Sequence, residues 1–178
     1  MFTPIIRILL ILGSLIMAIL FYLEDNYTSM TWILIAAGLF VYGYFKYGTV
    51  YIAFNQIKKG EYKKAEKLIA KIKNPNTLSK AHKSYYHFTK GLIASEKEEW
   101  ESSATQLTKA LNIGLRTKND TSIVLLNLAI VEFERNNFEK AKELLEKMKE
   151  YDLKPLIKTE MDKLTDKIDK KNNSKETL

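Results

Sequence analysis

The chain has 178 residues, enough for one domain or for a small domain with an anchor. It contains no cysteine, which excludes a disulfide framework, a thiolate metal site and a cysteine nucleophile. Its 7 glycines and 3 prolines favour helices over a turn-rich β architecture, and its net charge of +7 falls entirely after residue 46.

Residues 1–46 hold only four charged side chains, Arg7, Glu24, Asp25 and Lys46. Within them, residues 5–23 form an apolar run broken only by Arg7, Gly13 and Ser14, close to the length that crosses a ~30 Å hydrocarbon core as a helix. Arg7 lies near the end of the run, where a long side chain can reach the headgroups. The stretch after Met17 offers no small-x-small cleavage site, so the run reads as an uncleaved span. A second span is expected at about 30–46, with Tyr42, Tyr44, Phe45 and Tyr47 as an aromatic belt at a membrane–water boundary. Ser14 and Ala18 form a small-residue pair that could seat the two helices together. The turn from Glu24 to Ser29 has no Lys or Arg, whereas Arg7 and Lys46 flank the outer ends. By the positive-inside rule both ends are cytoplasmic. Residues 1–47 are therefore expected to form a transmembrane hairpin in a cell membrane, and the composition suggests a bacterial one.

After Gly48 the pattern turns helical, with helices expected at about 49–59, 61–73, 79–97, 100–113, 120–135, 137–150 and 155–170. The breaks fall at Gly60, Asn74-Pro75-Asn76, Gly114 and Lys154-Pro155. The fold class is all-α. Within these helices one step recurs: Tyr62, Trp100 and Phe138 are 38 residues apart, as are Ala65, Ser103 and Ala141, then Ile69, Leu107 and Leu145, then Ala53, Gly91 and Ala129. Four positions keep their size class through three copies, so the segment is an internal repeat. The last expected helix places Ile157, Met161, Leu164 and Ile168 on one face and fits a cap over the open end of a stack. Residues 171–178 are polar and are expected to form a disordered tail.

The repeat resembles the tetratricopeptide family over roughly residues 48–153. In that family a small residue on the first helix of each pair, here Ala53, Gly91 and Ala129, admits the second helix closely. An aromatic residue opens the second helix, here Tyr62, Trp100 and Phe138, followed by the small Ala65, Ser103 and Ala141. The family's turn glycine is matched by Gly60, with Glu98 and Asn136 in its place later, and its early tryptophan is missing. The period is 38 instead of 34, and a longer first helix could take up the four additional residues without rotating its buried face. The resemblance implies an α-solenoid of about three helix pairs over residues 48–170, capping helix included.

Residues placed for chemistry are few. His82 and His87 are five apart, not the i, i+4 of a helical metal pair, and read as packing or exposed residues. No glycine-rich phosphate loop or nucleophile elbow is present, and Glu96, Glu98, Glu99 and Glu101 read as a charged helix end. No enzyme activity, cofactor, metal or nucleic-acid partner is expected. Lys58, Lys59, Lys63 and Lys64, with Lys67, Lys71 and Lys73 further along the first repeat, follow the second span and are candidates for contact with anionic lipid. The resemblance implies that first-helix surfaces line a groove for a protein partner, here Phe54, Ile57, Tyr85, Phe88, Leu92, Ile123, Leu126, Ile130 and Phe133. These apolar and aromatic residues suit an apolar segment or amphipathic helix, although the capping helix or a second copy could fill the same face. The expected function is a membrane-tethered, non-enzymatic scaffold or adaptor. The alternative is an accessory subunit of a transporter or envelope-synthesis complex, in which the spans make the specific contacts.

Overall fold

A computed structural model describes the backbone of residues 4–47 and 49–176, and their side chains apart from residues 4, 5, 7, 44–47 and 172–176. Arg7, Lys46, Gly48 and the aromatic belt residues Tyr44, Phe45 and Tyr47 thus lie outside the described side chains. The described chain is all helical: α1 (Pro4–Leu23), α2 (Tyr27–Tyr47), α3 (Val50–Ile57), α4 (Tyr62–Ala70), α5 (Lys80–Glu96), α6 (Trp100–Ile113), α7 (Lys118–Glu134), α8 (Phe138–Met148) and α9 (Pro155–Glu176), with a 3-10 turn at Pro75–Thr77. It divides into two compact units. One is residues 1–49 with 72–79, and the other is residues 50–71 with 80–178.

In the first unit α1 and α2 pack as a hairpin. The connection is shorter than the sequence implied. Asn26 accepts the Ser29 N–H through Oδ1 at 3.2 Å, so α2 starts at Tyr27 and the link is only Glu24-Asp25-Asn26. Asp25 takes a left-handed backbone (φ 54°) to make this turn, and Tyr27 donates to its carboxylate at 3.0 Å. The small side chains Ala18 and Ala37 are buried, and Ser14 is half-buried with its hydroxyl bonded to the Leu10 carbonyl at 2.8 Å. The outward side chains are large and apolar. Every strongly exposed large apolar residue among those described lies on α1 or α2, with Leu156 as the exception. Among the described residues no helix is long and apolar enough to cross a membrane, so the transmembrane hairpin expected of residues 1–47 is not supported.

In the second unit α3–α4, α5–α6 and α7–α8 form three helix pairs, and α9 packs on both α7 and α8. The pairs turn in the same way. Gly60, Glu98 and Asn136 all have positive φ (75°, 59° and 62°). Their N–H groups bond Ile57, Ser95 and Phe133 carbonyls at 2.9, 3.0 and 2.9 Å, and the next N–H groups bond Gln56, Ala94 and Glu132 at 2.9, 2.9 and 2.8 Å. This is the Schellman helix end, in which the left-handed residue closes two orphan carbonyls. It occurs three times at the same step. Each second helix then starts on a backbone carbonyl, with Ala65, Ser103 and Ala141 bonding Glu61, Glu99 and Asn137.

Burial explains the conserved sizes within this chain. Ala53, Ala65, Ser103, Ala129 and Ala141 are fully buried, as is Leu107. A Cβ on Gly91 would sit 2.7 Å from Leu107 Cγ and Cδ2, and the Ser103 hydroxyl donates to the Gly91 carbonyl at 2.9 Å. The second pair is therefore held at a distance only glycine allows. On α9, Ile157, Met161, Leu164 and Ile168 are all buried, as expected of a cap. The helix, however, runs to Glu176, six residues past its expected end, and 177–178 fall outside the described residues. Residues 171–176 contain neither glycine nor proline, so nothing in the sequence stops the backbone from continuing.

Candidate partner-binding face

The expected groove is built from α3, α5 and α7, and ring contacts fix how two of them run. Tyr51 meets His82 at 4.7 Å and Tyr85 at 5.1 Å, while Phe54 meets Tyr85 at 5.3 Å and Phe88 at 5.1 Å. The constant offset in residue number means that α3 and α5 lie side by side and parallel. These edge and tilted arrangements are the favourable ones for aromatic pairs. Lys58 completes the cluster, with its ammonium 4.8 Å from the Phe54 ring centre.

The same contacts close much of the predicted surface. Phe54, Ile57, Tyr85, Phe88 and Leu126 are buried, Phe88 completely. Phe54, Tyr85 and Phe88 hold α3 against α5. Leu92, Ile123, Ile130 and Phe133 are half-buried and remain reachable. Phe133 has company on two sides: the Phe138 ring at 5.5 Å and the Lys171 ammonium of α9 at 5.8 Å. The reachable strip is thus Leu92 on α5 with Ile123 and Ile130 on α7.

Tyr85 does more than pack. Its hydroxyl donates to the Asp120 carboxylate, and Thr117 also donates to that carboxylate at 2.7 Å while capping the α7 N-terminus through the Asp120 N–H at 3.0 Å. Burial raises the phenol pKa well above its usual value, and the hydrogen bond to Asp120 and its charge add to this against the opposing Arg116. The proton stays on Tyr85, so the bond joins the second and third pairs at any ordinary pH.

Both histidines pack. His82 lies under the Tyr51 ring, and His87 bonds the Gln106 side chain at 2.8 Å. Burial lowers the His87 pKa, and Lys109, Lys83 and Lys90 push the same way, against the Gln106 bond. Glu96, Glu98, Glu99 and Glu101 are exposed at the end of α5 and start of α6. Among the described residues no three His, Asp or Glu side chains come together as a metal site.

One charged residue escaped the sequence reading. Glu132, on the apolar helix α7, is fully buried. Its carboxylate accepts from Arg135 at 2.9 and 3.1 Å, from Asn137 at 2.8 Å and from Lys140 at 2.7 Å, and Arg135 also reaches Glu101 on α6. Burial pushes this carboxyl up. The hydrogen bonds of Lys140 and Asn137 and the charges of Lys140 and Arg135 outweigh it, so the pKa is held below the usual value. The signal was present as a lone acid inside an apolar helix, followed at i+3 by Arg135.

No protein-family model, curated protein or solved structure matches the chain.

Proposed function

We propose that the chain is a tetratricopeptide-like scaffold tethered to a membrane by α1–α2, binding a protein partner without catalysing a reaction. The observation that carries the tether is the confinement of strongly exposed large apolar side chains to these two helices, Leu156 apart. A water-soluble surface rarely gathers so many. The backbones of α1 and α2 run for 20 and 21 residues, a rise of about 30 Å each, although no helix among the described residues is long and apolar enough to cross a membrane. The scaffold reading draws on the three identical turns, the parallel first helices α3 and α5, and the small residues at Ala53, Gly91 and Ala129. The 17-residue α5 and α7 accommodate the long period. The interaction surface is the strip of Leu92, Ile123 and Ile130.

The test is crosslinking and capture from membranes with Ile123→Glu and Ile130→Glu, which are half-buried and tolerate charge better than Phe88 or Leu126. Capture lost in folded variants is the expected result. Unchanged capture in both sinks the groove, and an unrelated two-span hairpin in place of residues 1–46 then asks whether the spans choose the partner. The accessory-subunit reading has one observation in its favour, the exposed Trp32 and Leu39 on α2, which a neighbouring span could cover.

A further inference from the structure

We propose that the strip of Leu92, Ile123 and Ile130 receives an amphipathic helix of a partner protein that carries Lys or Arg beside its apolar face. The inference rests on the scaffold reading above and names the chemistry of the partner at that same strip. Two bonds show that α5 and α7 run the same way. Tyr85, early in α5, bonds Asp120 in the first turn of α7, and Glu101, in the first turn of α6, pairs with Arg135 just past the end of α7. Leu92 and Ile130 hold corresponding places on the two helices, as do Glu96 and Glu134, with 38 positions between the members of each pair.

Acid frames the strip. On α7, Asp120, Ile123, Ile130 and Glu134 fall within about 80° of one another around the helix. The first three are half-buried and Glu134 is exposed, while Glu96 is exposed on α5 one turn beyond Leu92. Among the described residues none of these three carboxylates makes an ion pair. Glu61, Glu66, Glu101 and Glu132, by contrast, are each taken up by a Lys or Arg. Asp120 accepts from the neutral hydroxyls of Tyr85 and Thr117, and its end of the strip is the weaker one because Arg116 stands close enough to act on Tyr85. Lys58 holds the place of Glu96 on α3, where its ammonium lies over the Phe54 ring. In a chain of net charge +7, an apolar strip bordered by three unneutralised carboxylates selects a basic partner over an acidic one.

The spacing suits a helix. Ile123 and Ile130 are about two turns apart, roughly 10 Å, and Asp120 and Glu134 about four turns, roughly 21 Å. A partner helix of about four turns laid along α7 meets these groups with apolar side chains at i and i+7 and basic ones at their flanks, the helix-in-groove mode. Other occupants fit less well. The helix α9 buries its apolar face on α7 and α8 and still leaves Ile123 and Ile130 reachable. A second copy has no such face to offer from its repeat unit, where Leu156 is the sole strongly exposed large apolar residue among those described.

The probe is a displayed library of helix-forming peptides about 16 residues long, with leucine fixed at i and i+7 and the flanking positions randomised. It is selected on the full chain in non-ionic detergent, after removal of peptides that bind empty micelles. Retained peptides should carry Lys or Arg at the flanking positions at about three times the input frequency or more. Their affinity should fall about two- to tenfold in the Glu96→Gln/Glu134→Gln chain, the scale of two exposed ion pairs, and further in Ile123→Glu. The exposed Glu139 and Glu150 lie off the strip, and Glu139→Gln/Glu150→Gln should change nothing. Ile130→Glu takes the place of Ile123→Glu should the latter lose its helical circular dichroism. Retained peptides that depend on Ile123 but show no basic preference overturn the proposal and leave the strip standing as a binding surface. Retention that ignores both isoleucine variants, or no retention at all, overturns the proposal and the strip together. A wild-type chain that is dimeric, and monomeric with Ile123→Glu, gives the strip to a second copy and overturns the proposal as well.

Discussion

Glu98 and Asn136 hold the backbone conformation that Gly60 holds in the first pair, and each bears a Cβ that this conformation disfavours. Glu98→Gly should therefore stabilise the chain by about 0.5–1 kcal/mol, and Asn136→Gly by less, because asparagine tolerates the left-handed region. A urea midpoint that falls for Glu98→Gly would contradict the shared-turn reading. Gly91 works in the opposite sense. Ala is the better helix former by about 1 kcal/mol, but the new methyl would press on a fully buried Leu107 at an overpacking cost of about 1–3 kcal/mol. Gly91→Ala should thus lose up to about 2 kcal/mol net, and Leu107→Val in the same chain should recover part of it. Acid acts at two residues. His87 and Glu132 are both held below their ordinary values of 6.5 and 4.5, so the unfolded chain takes up each proton more readily than the folded one. Stability should begin to fall as pH drops below about 6.5 and fall more steeply below about 4.5. His87→Gln should flatten the first limb of a urea-midpoint profile, and Glu132→Gln the second. Glu132→Gln should also cost about 1–3 kcal/mol at neutral pH, at the lower end because Lys140 and Arg135 can regain water. Size classes were readable at this scale, as was the turn position shared by Gly60, Glu98 and Asn136; the positive φ at Glu98 was not, because a glutamate side chain does not announce it.

Among the elements, α9 carries the largest prediction. Its four buried apolar side chains correspond to about 6–12 kcal/mol of transfer energy, comparable with the whole stability of a typical domain. Ending the chain at Lys154 should therefore leave α7 and α8 unprotected in hydrogen exchange, while α3–α6 keep more of their protection. Equal protection in the shortened chain would mean that α9 is dispensable. The face of this helix could be read from residues 157, 161, 164 and 168, since apolar spacing survives without tertiary information. The groove could not. The spacing that points Phe54, Tyr85 and Phe88 toward a partner points them equally toward the neighbouring helix, and only the parallel packing of α3 on α5 decides between the two.

For the whole molecule, the tethered reading predicts sidedness. Thr28→Cys, exposed in the first turn of α2, and Ser102→Cys should react with an impermeant maleimide from opposite sides of sealed vesicles. Reaction from one side for both would reverse the topology. Charge asymmetry between residues 1–46 and the rest made two regions legible from composition alone. That the first helices run parallel was hidden until their ring contacts were known. The recurrent contacts between neighbouring pairs also bear on how the chain folds. Tyr85 to Asp120, Glu66 to Lys97 and Glu101 to Arg135 join neighbouring pairs across 35, 31 and 34 positions. Loop closure is short for every one of them, so contact order is low and assembly is fast and sequential. Pairs can close in the order of synthesis, each templated by the one before. The apolar α7 then waits longest for its cover, because α9 follows it in the chain. The interval between making α7 and docking α9 is the stage at which aggregation competes with folding, and a substitution such as Ile168→Ala should lengthen it.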